Sequence, residues 1–414
     1  MHIAIIGASA AGLSCLDTLV ALSPDTRVTV ISEEDCLPYS KILLTYAFAR
    51  EFRRETMILR DPSSYPSRVT FLLGKKVEEV SVTDKTLTLS GGEIIAYDKL
   101  LFATGASAIK PDYVTAENRC FNLRYLHDAL RIGEFLKKSA VVAGGGFVGI
   151  KTAYGLIERG IRPILLVSSG HILSLNVDEQ VARLVERDLR GMGVDIRTGE
   201  DVVSVKAGKD GARVTLKSGT VLDADVVVVG KGVRPRVMLA RQAGAEIDLG
   251  IRTNEHLETS IKDHYAAGDC CENIDYVRGV PWVNAIWPVA TEQGYYAALN
   301  MAGVPSPYRG SMAVNSLKLP GLHLVTGGIL WGEGVTTVER YVPARNQLRK
   351  LALRDGIPVG LAFYNNAEEA GPYLNLIRKG RPLRMSPQAI VDGDITPADL
   401  YELQTVDSRS GRSH

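Results

Sequence analysis

Hydrophobic positions fall into short unbroken runs, each ending in small residues, at 3–6, 100–103, 140–143, 164–167 and 226–229. Runs of that length are expected to be strands of a parallel sheet buried on both faces. The first passes into a small-residue turn at 7–12 and then a helical pattern at 13–22, predicting strand, tight loop and helix in succession. A β-rich second strand is expected at 27–31, and residues 37–44 read as a turn feeding a helix. Residues 70–101 alternate apolar and polar, with turns at 83–85 and 91–92, as half-buried strands do. Residues 111–131 read as a connection, helical toward its end.

The opening pattern then recurs. An apolar strand at 140–143 leads into the glycine loop 144–149, a helix at 150–159 stopped by Gly160, and a strand at 162–167. Residues 198–229 are again strand and turn, and 225–232 repeats the layout of 98–105. One nucleotide-binding layout is therefore present twice. Downstream come a short strand ending at Asp269, a helix at 289–301 and a Gly/Pro boundary at 303–310. Residues 311–378 predict a compact unit with strands near 322–330 and 335–341, a hairpin at 350–362 turning at Asp355-Gly356, and a helix at 368–378. Residues 379–414 read as a polar tail with a frayed end.

Composition narrows the class without changing this picture. With 45% hydrophobic and 23% charged residues and a net charge of +1, the chain resembles ordinary globular proteins and lacks the basic excess of a nucleic-acid binder. No run approaches the roughly 18–20 apolar residues of a membrane-spanning helix. A strand beginning at Met1 leaves no space for a leader, so a cytoplasmic protein is expected. The five cysteines, Cys15, Cys36, Cys120, Cys270 and Cys271, form no Cys-x-x-Cys pair and are expected to be reduced thiols; the adjacent Cys270 and Cys271 read as packed thiols rather than a vicinal disulfide. No metal site is expected.

Small-residue loops at helix starts let backbone N–H groups approach a pyrophosphate. An acid about 20 positions beyond the loop is expected to bond a ribose hydroxyl. Glu33, 21 positions after Gly12, meets that spacing, and Glu34 is its neighbour.

Taken in order, these features resemble the FAD-dependent pyridine nucleotide-disulfide oxidoreductase superfamily, and within it the rubredoxin and ferredoxin reductases and the flavoprotein part of NADH-dependent nitrite reductase. The likeness covers residues 1 to about 378. It is carried by Gly-Ala-Ser-Ala-Ala-Gly (7–12), Pro-Tyr-Ser-Lys (38–41), Ala-Thr-Gly (103–105), Leu-Arg-Tyr-Leu-His-Asp-Ala (123–129), Gly-Gly-Gly-Phe-Val-Gly (144–149) and Ala-Ala-Gly-Asp (266–269). The resemblance implies an α/β fold of two Rossmann-like three-layer domains, for FAD and NAD(P), the second inserted in the first, with a C-terminal α+β domain. The implied boundaries are 1–110 and 236–310 for FAD, 111–235 for NAD(P), 311–378 for an interface or dimerisation-like domain, and 379–414 for the tail. Gly7, Ser9, Ala11 and Gly12 would wrap the FAD pyrophosphate beside Arg124. Ala103, Thr104, Gly105 and Gly268 belong to the same wall, Asp269 would take the ribityl chain, Val77 the adenine, and Trp287 would pack near the isoalloxazine. Lys41 would stand at the flavin, near N5, as the catalytic cation. On the nicotinamide side stand Gly144, Gly146, Phe147, Val148, Gly149, Lys151, Ser168 and Gly232.

The departures shape the function expected. Cys36 is the only cysteine near Lys41, and the surrounding Leu-Pro-Tyr-Ser-Lys follows the branch without a redox cysteine. Electrons from NAD(P)H would then pass through FAD to a small iron–sulfur protein of the rubredoxin or ferredoxin type. Two alternatives stay open: an NAD(P)H oxidase or coenzyme A disulfide/peroxide reductase using Cys36, and a flavoprotein electron-transfer or assembly subunit without turnover. Ser168-Ser169 replaces the acid that marks NAD preference, with no arginine following, so NADH is expected and NADPH stays open; Lys151 replaces a glutamate common at its position. The 311–378 unit would lie near the flavin or form a homodimer interface.

Overall fold

The computed structural model describes residues 1–47, 53–115, 117–208 and 210–393. The apolar runs form two parallel five-stranded sheets of matching order. In the first, His264–Ala266, Lys99–Phe102, His2–Ile6, Arg27–Ser32 and Val69–Leu73 lie side by side. In the second, Cys120–Asn122, Val226–Val229, Ala140–Ala143, Ile164–Val167 and Asp195–Thr198 do the same. Central strands are wholly apolar because both faces are covered: Ile3, Ala4, Ile5, Val142 and Ala143 have no exposed surface. Each unit also carries a three-stranded antiparallel meander, Val77–Ser81 with Thr86–Leu89 and Ile94–Ala96, and Val202–Ala207 with Ala212–Leu216 and Val221–Ala224.

The units differ in their outermost strand. In the second it is Cys120–Asn122, which precedes the glycine loop; in the first it is His264–Ala266, which follows the whole second unit. The second unit is thus inserted in the first. The chain leaves through Ala106–Ala108 and returns through Val233–Pro235, and these pair antiparallel, with Ser107 opposite Arg234. After the return, Trp287–Met301 packs on Ala10–Leu22 so closely that a Cβ on Gly294 would stand 2.2 Å from the Ala11 carbonyl oxygen.

The C-terminal unit is an antiparallel sheet in the order Val314–Leu319, Leu322–Gly328, Ile357–Tyr364, Gln347–Arg354, Val335–Val342. Helix Ala370–Lys379 closes one face, setting Tyr373 edge-on to Phe363 at 4.8 Å. Two expectations are corrected here. The strand Val314–Leu319 escapes the sequence reading because only two of its six residues, Leu317 and Leu319, are buried. Residues 379–393 are not a polar tail: helix Pro387–Asp392 buries Ile390 and Val391 completely, and the Tyr373 hydroxyl donates to the Ile390 carbonyl at 2.9 Å. Residues 394–414 of the expected tail lie outside the described residues.

This unit docks on helix Glu179–Gly191 of the inserted unit. Lys350, 4% exposed, donates to Asp178 at 2.6 Å and to Glu339 at 2.8 Å. Asp178 also caps that helix, accepting from the Val181 N–H at 3.1 Å. The Tyr364 hydroxyl donates to Asp188 on the same helix.

Candidate functional site

A cavity of about 940 Å³ opens at the C-terminal ends of the first sheet, where the 7–11 loop, 31–34, 75–78, 103–107 and 268–269 converge. Its size is that of a site for a large organic ligand. The loop is shaped by close backbone approach. Gly7 has φ +123°, and a Cβ there would stand 2.1 Å from the Ala103 carbonyl oxygen. The second loop repeats the arrangement: Gly144 has φ +128°, with a Cβ 2.3 Å from the Gly230 carbonyl oxygen. Six cations line the cavity, Lys41, Lys75, Lys76, Arg124, Arg234 and Arg236, against four acids, Glu33, Glu34, Glu78 and Asp269. The cationic excess, set around a helix N-terminus, suits a ligand carrying a diphosphate. The residues present therefore fit FAD.

Most expected FAD residues share this one wall: Gly7, Ser9, Ala11, Glu33, Glu34, Lys41, Val77, Ala103, Thr104, Gly105, Arg124, Gly268, Asp269 and Trp287. Gly12 does not line it. A Cβ on Gly12 would lie 1.9 Å from the Gly7 carbonyl oxygen, so its part is to let the helix meet the loop rather than to touch ligand. Arg124 is fixed by a bond from Nε to the Ala106 carbonyl at 3.0 Å and a bond from Nη2 to Asp269 at 2.9 Å. Asp269 is therefore an acid already paired with a cation of the same wall. The turn before it is held by buried Gln293, whose amide oxygen accepts from the Gly268 N–H at 2.8 Å.

The two acids after the second strand are differently engaged. Glu34 accepts from Lys41 at 2.7 Å and from the Tyr39 hydroxyl at 2.6 Å. Glu33 is bridged by both terminal nitrogens of Arg236, one at 2.8 Å. The bonds from Arg236 hold the Glu33 carboxyl below the usual carboxylate range. Lys41, expected near flavin N5, lines the cavity, pairs with Glu34 and lies 4.5 Å from the Tyr125 ring centroid. It opens the short helical turn Lys41–Tyr46.

Arg236 was not singled out in the sequence. It lies just past the returning strand Val233–Pro235, with its backbone N–H bonded to the Gly105 carbonyl at 2.9 Å and its carbonyl accepting from the Thr104 hydroxyl at 2.6 Å. No motif marks it; only the pairing with Glu33 does.

The second loop is open at Gly146, where a Cβ would meet nothing within 4 Å. Phe147 starts the helix Phe147–Glu158, Val148 reaches back to line the first cavity, and a Cβ on Gly149 would stand 1.8 Å from the Gly144 carbonyl oxygen. Lys151, one helical turn beyond Val148, is half-buried; burial lowers its pKa, and no acid pairs with it among the described residues. Ser168 is exposed at the end of Ile164–Val167, and the next residue, Ser169, accepts from the Gly199 N–H at 3.0 Å. Gly232, φ +94°, lies in the return link, its carbonyl accepting from the Ile109 N–H at 3.0 Å.

All five cysteines are free thiols, Cys270 and Cys271 included, and none lines the cavity. Burial first, then the neighbouring Glu34 and Asp35, push the Cys36 thiol up despite nearby Lys41. A resting thiolate there is disfavoured. Among the described residues there is no cluster suited to a metal ion, and no helix is long and apolar enough to cross a membrane.

Comparison with known proteins agrees with this geometry. Residues 1–294 match the family model described as pyridine nucleotide-disulphide oxidoreductase. The chain is 29% identical over 381 residues to the NADH-dependent phenylglyoxylate dehydrogenase subunit epsilon of Aromatoleum evansii, covering 90% of each. It is 30% identical over 282 residues to a rubredoxin-NAD(+) reductase of Alcanivorax borkumensis, covering 66% of this chain and 73% of that one. Among solved structures, the covalent putidaredoxin reductase–putidaredoxin complex superposes with a TM-score of 0.89 at 25% identity, covering 97% of this chain and 98% of that one.

Proposed function

The chain belongs to the pyridine nucleotide-disulphide oxidoreductase family, as an FAD-dependent enzyme using NADH or NADPH, and from that premise we propose that it passes the electrons to a small iron–sulfur carrier of the rubredoxin or ferredoxin type. The observation that supports this reading is the cavity wall, which contains no cysteine, while Cys36, the thiol nearest Lys41 in sequence, is held protonated by burial and adjacent acids. With no internal disulfide to receive electrons, an external acceptor takes them. Relatives include rubredoxin and putidaredoxin reductases, each named for such an acceptor.

FAD bound in this cavity would supply the exchange between two-electron and one-electron chemistry. The residues around it bind and orient. The 7–11 backbone and Arg124 offer N–H donors to the pyrophosphate, and Glu33 accepts from the ribose hydroxyls. On meeting a ribityl chain, Asp269 accepts its hydroxyls while staying beside Arg124. Trp287, at the first turn of Trp287–Met301, offers the wall a large apolar ring to pack against the isoalloxazine. The open 144–149 loop admits the nicotinamide nucleotide, and Val148 brings that site to the edge of the first cavity.

Anaerobic titration tests the reading. One equivalent of NADH or NADPH should bleach the bound flavin within seconds, with two electrons taken up per FAD, and Cys36→Ser should titrate identically. The reduced enzyme should then reduce rubredoxin or ferredoxin, two per FAD. Uptake beyond two electrons that disappears in Cys36→Ser would instead establish the disulfide or peroxide reductase alternative. Failure of both nucleotides to bleach the flavin would leave the assembly-subunit alternative.

A further inference from the structure

We propose that Arg236 is a positioning residue for the adenosine half of the cofactor, holding Glu33 in the orientation that receives the ribose hydroxyls; this rests on the cavity being the FAD site. Both residues line the cavity. The guanidinium bridges the two carboxylate oxygens of Glu33. A carboxylate offers about four lone-pair positions, and a bidentate arginine takes two. The remaining two point outward from opposite sides of the carboxylate, each open to one ribose hydroxyl. Glu34 is occupied otherwise: one oxygen accepts from Lys41, the other from Tyr39, and both partners belong to the adjoining 39–46 segment that it pins. Of the two neighbouring acids, Glu33 is therefore the ribose ligand and Glu34 a structural anchor.

Arg236 is itself held where it must be. Its backbone N–H donates to Gly105, and its carbonyl accepts from Thr104, so the residue is clamped at both ends to the 103–105 loop of the same wall. The clamp sits directly after Val233–Pro235, the strand by which the chain returns from the inserted unit. A single residue thus ties together the loop after one strand, the acid after another and the return link. A flexible acid at the mouth of the cavity would lose side-chain freedom on meeting the ribose; one already bridged loses less.

The test reads discrimination rather than affinity. The full-length protein is equilibrated with an equimolar mixture of FAD and an analogue whose adenosine carries 2′-deoxyribose. The ratio retained after gel filtration is then measured by mass spectrometry. The wild type should prefer FAD by roughly tenfold, the value of one hydrogen bond to a charged group. In Arg236→Met and Arg236→Gln the preference should fall to about twofold, and Arg236→Lys, which keeps the charge but cannot bridge both oxygens, should fall between. A merely structural role would weaken retention of both flavins and leave the ratio unchanged; that result in either neutral variant overturns the proposal. Equal retention of the two flavins by the wild type overturns it as well. Wild-type protein that retains neither flavin would instead overturn the FAD reading itself.

Discussion

Lys41 carries an ion pair that its sequence neighbours do not announce. In sequence it belongs to a turn whose lysine is expected at the flavin ring, and in the fold it lines the cavity, bonded to Glu34 and stacked over Tyr125. Lys41→Ala should therefore weaken FAD retention about tenfold, the effect of losing one charge-assisted contact, while NADH still reduces the remaining flavin at the wild-type rate. Normal retention with slowed reduction would place Lys41 at the flavin ring. Cys36 behaves in the opposite sense, its environment silencing a group that its sequence position makes conspicuous. With burial and two acids raising its pKa, its alkylation by iodoacetamide near neutral pH should be slower than that of an unperturbed thiol and should quicken as pH rises. Rapid alkylation at pH 7 would contradict that environment. Both residues stand close together in the chain, and their neighbours were legible there; which neighbour each side chain turns to was not.

The two glycine loops were the most legible elements. Each follows an apolar strand and opens a helix, and the fold gives both the same distorted first glycine and the same contact between the last glycine and the first. Their symmetry yields a paired expectation. Gly12→Val and Gly149→Val each force a side chain against a carbonyl oxygen less than 2 Å from the Cβ position, at 1.9 Å and 1.8 Å. Gly12→Val should give colourless protein. Gly149→Val should keep its flavin, still be bleached by dithionite, and fail to be bleached by NADH. Loss of flavin in both, or in neither, would mean that the two loops do not serve separate nucleotides. Elsewhere, strand Val314–Leu319 and helix Pro387–Asp392 were not legible, because each buries only two side chains and so shows little apolar periodicity.

At the scale of the molecule, the C-terminal unit is held to the inserted unit by a buried polar joint as well as by a shared apolar core. Lys350 is its centre, and Lys350→Met should lower stability by about 1–3 kcal/mol. That is less than a wholly buried pair would lose, because Asp178 and Glu339 are 29% and 37% exposed. Thermal unfolding followed by tryptophan fluorescence should show the shift, and an unchanged midpoint would mean that the apolar contacts alone hold the joint. By itself the sequence determined the doubled strand–loop–helix plan and the candidate dinucleotide loops, because these depend on apolar periodicity and small residues over a few adjacent positions. It could not determine how the acids and cations of the cavity pair. Arg124 meets Asp269 across 145 positions and Glu33 meets Arg236 across 203, so those bonds exist only once the chain has left the first unit, built the second and returned.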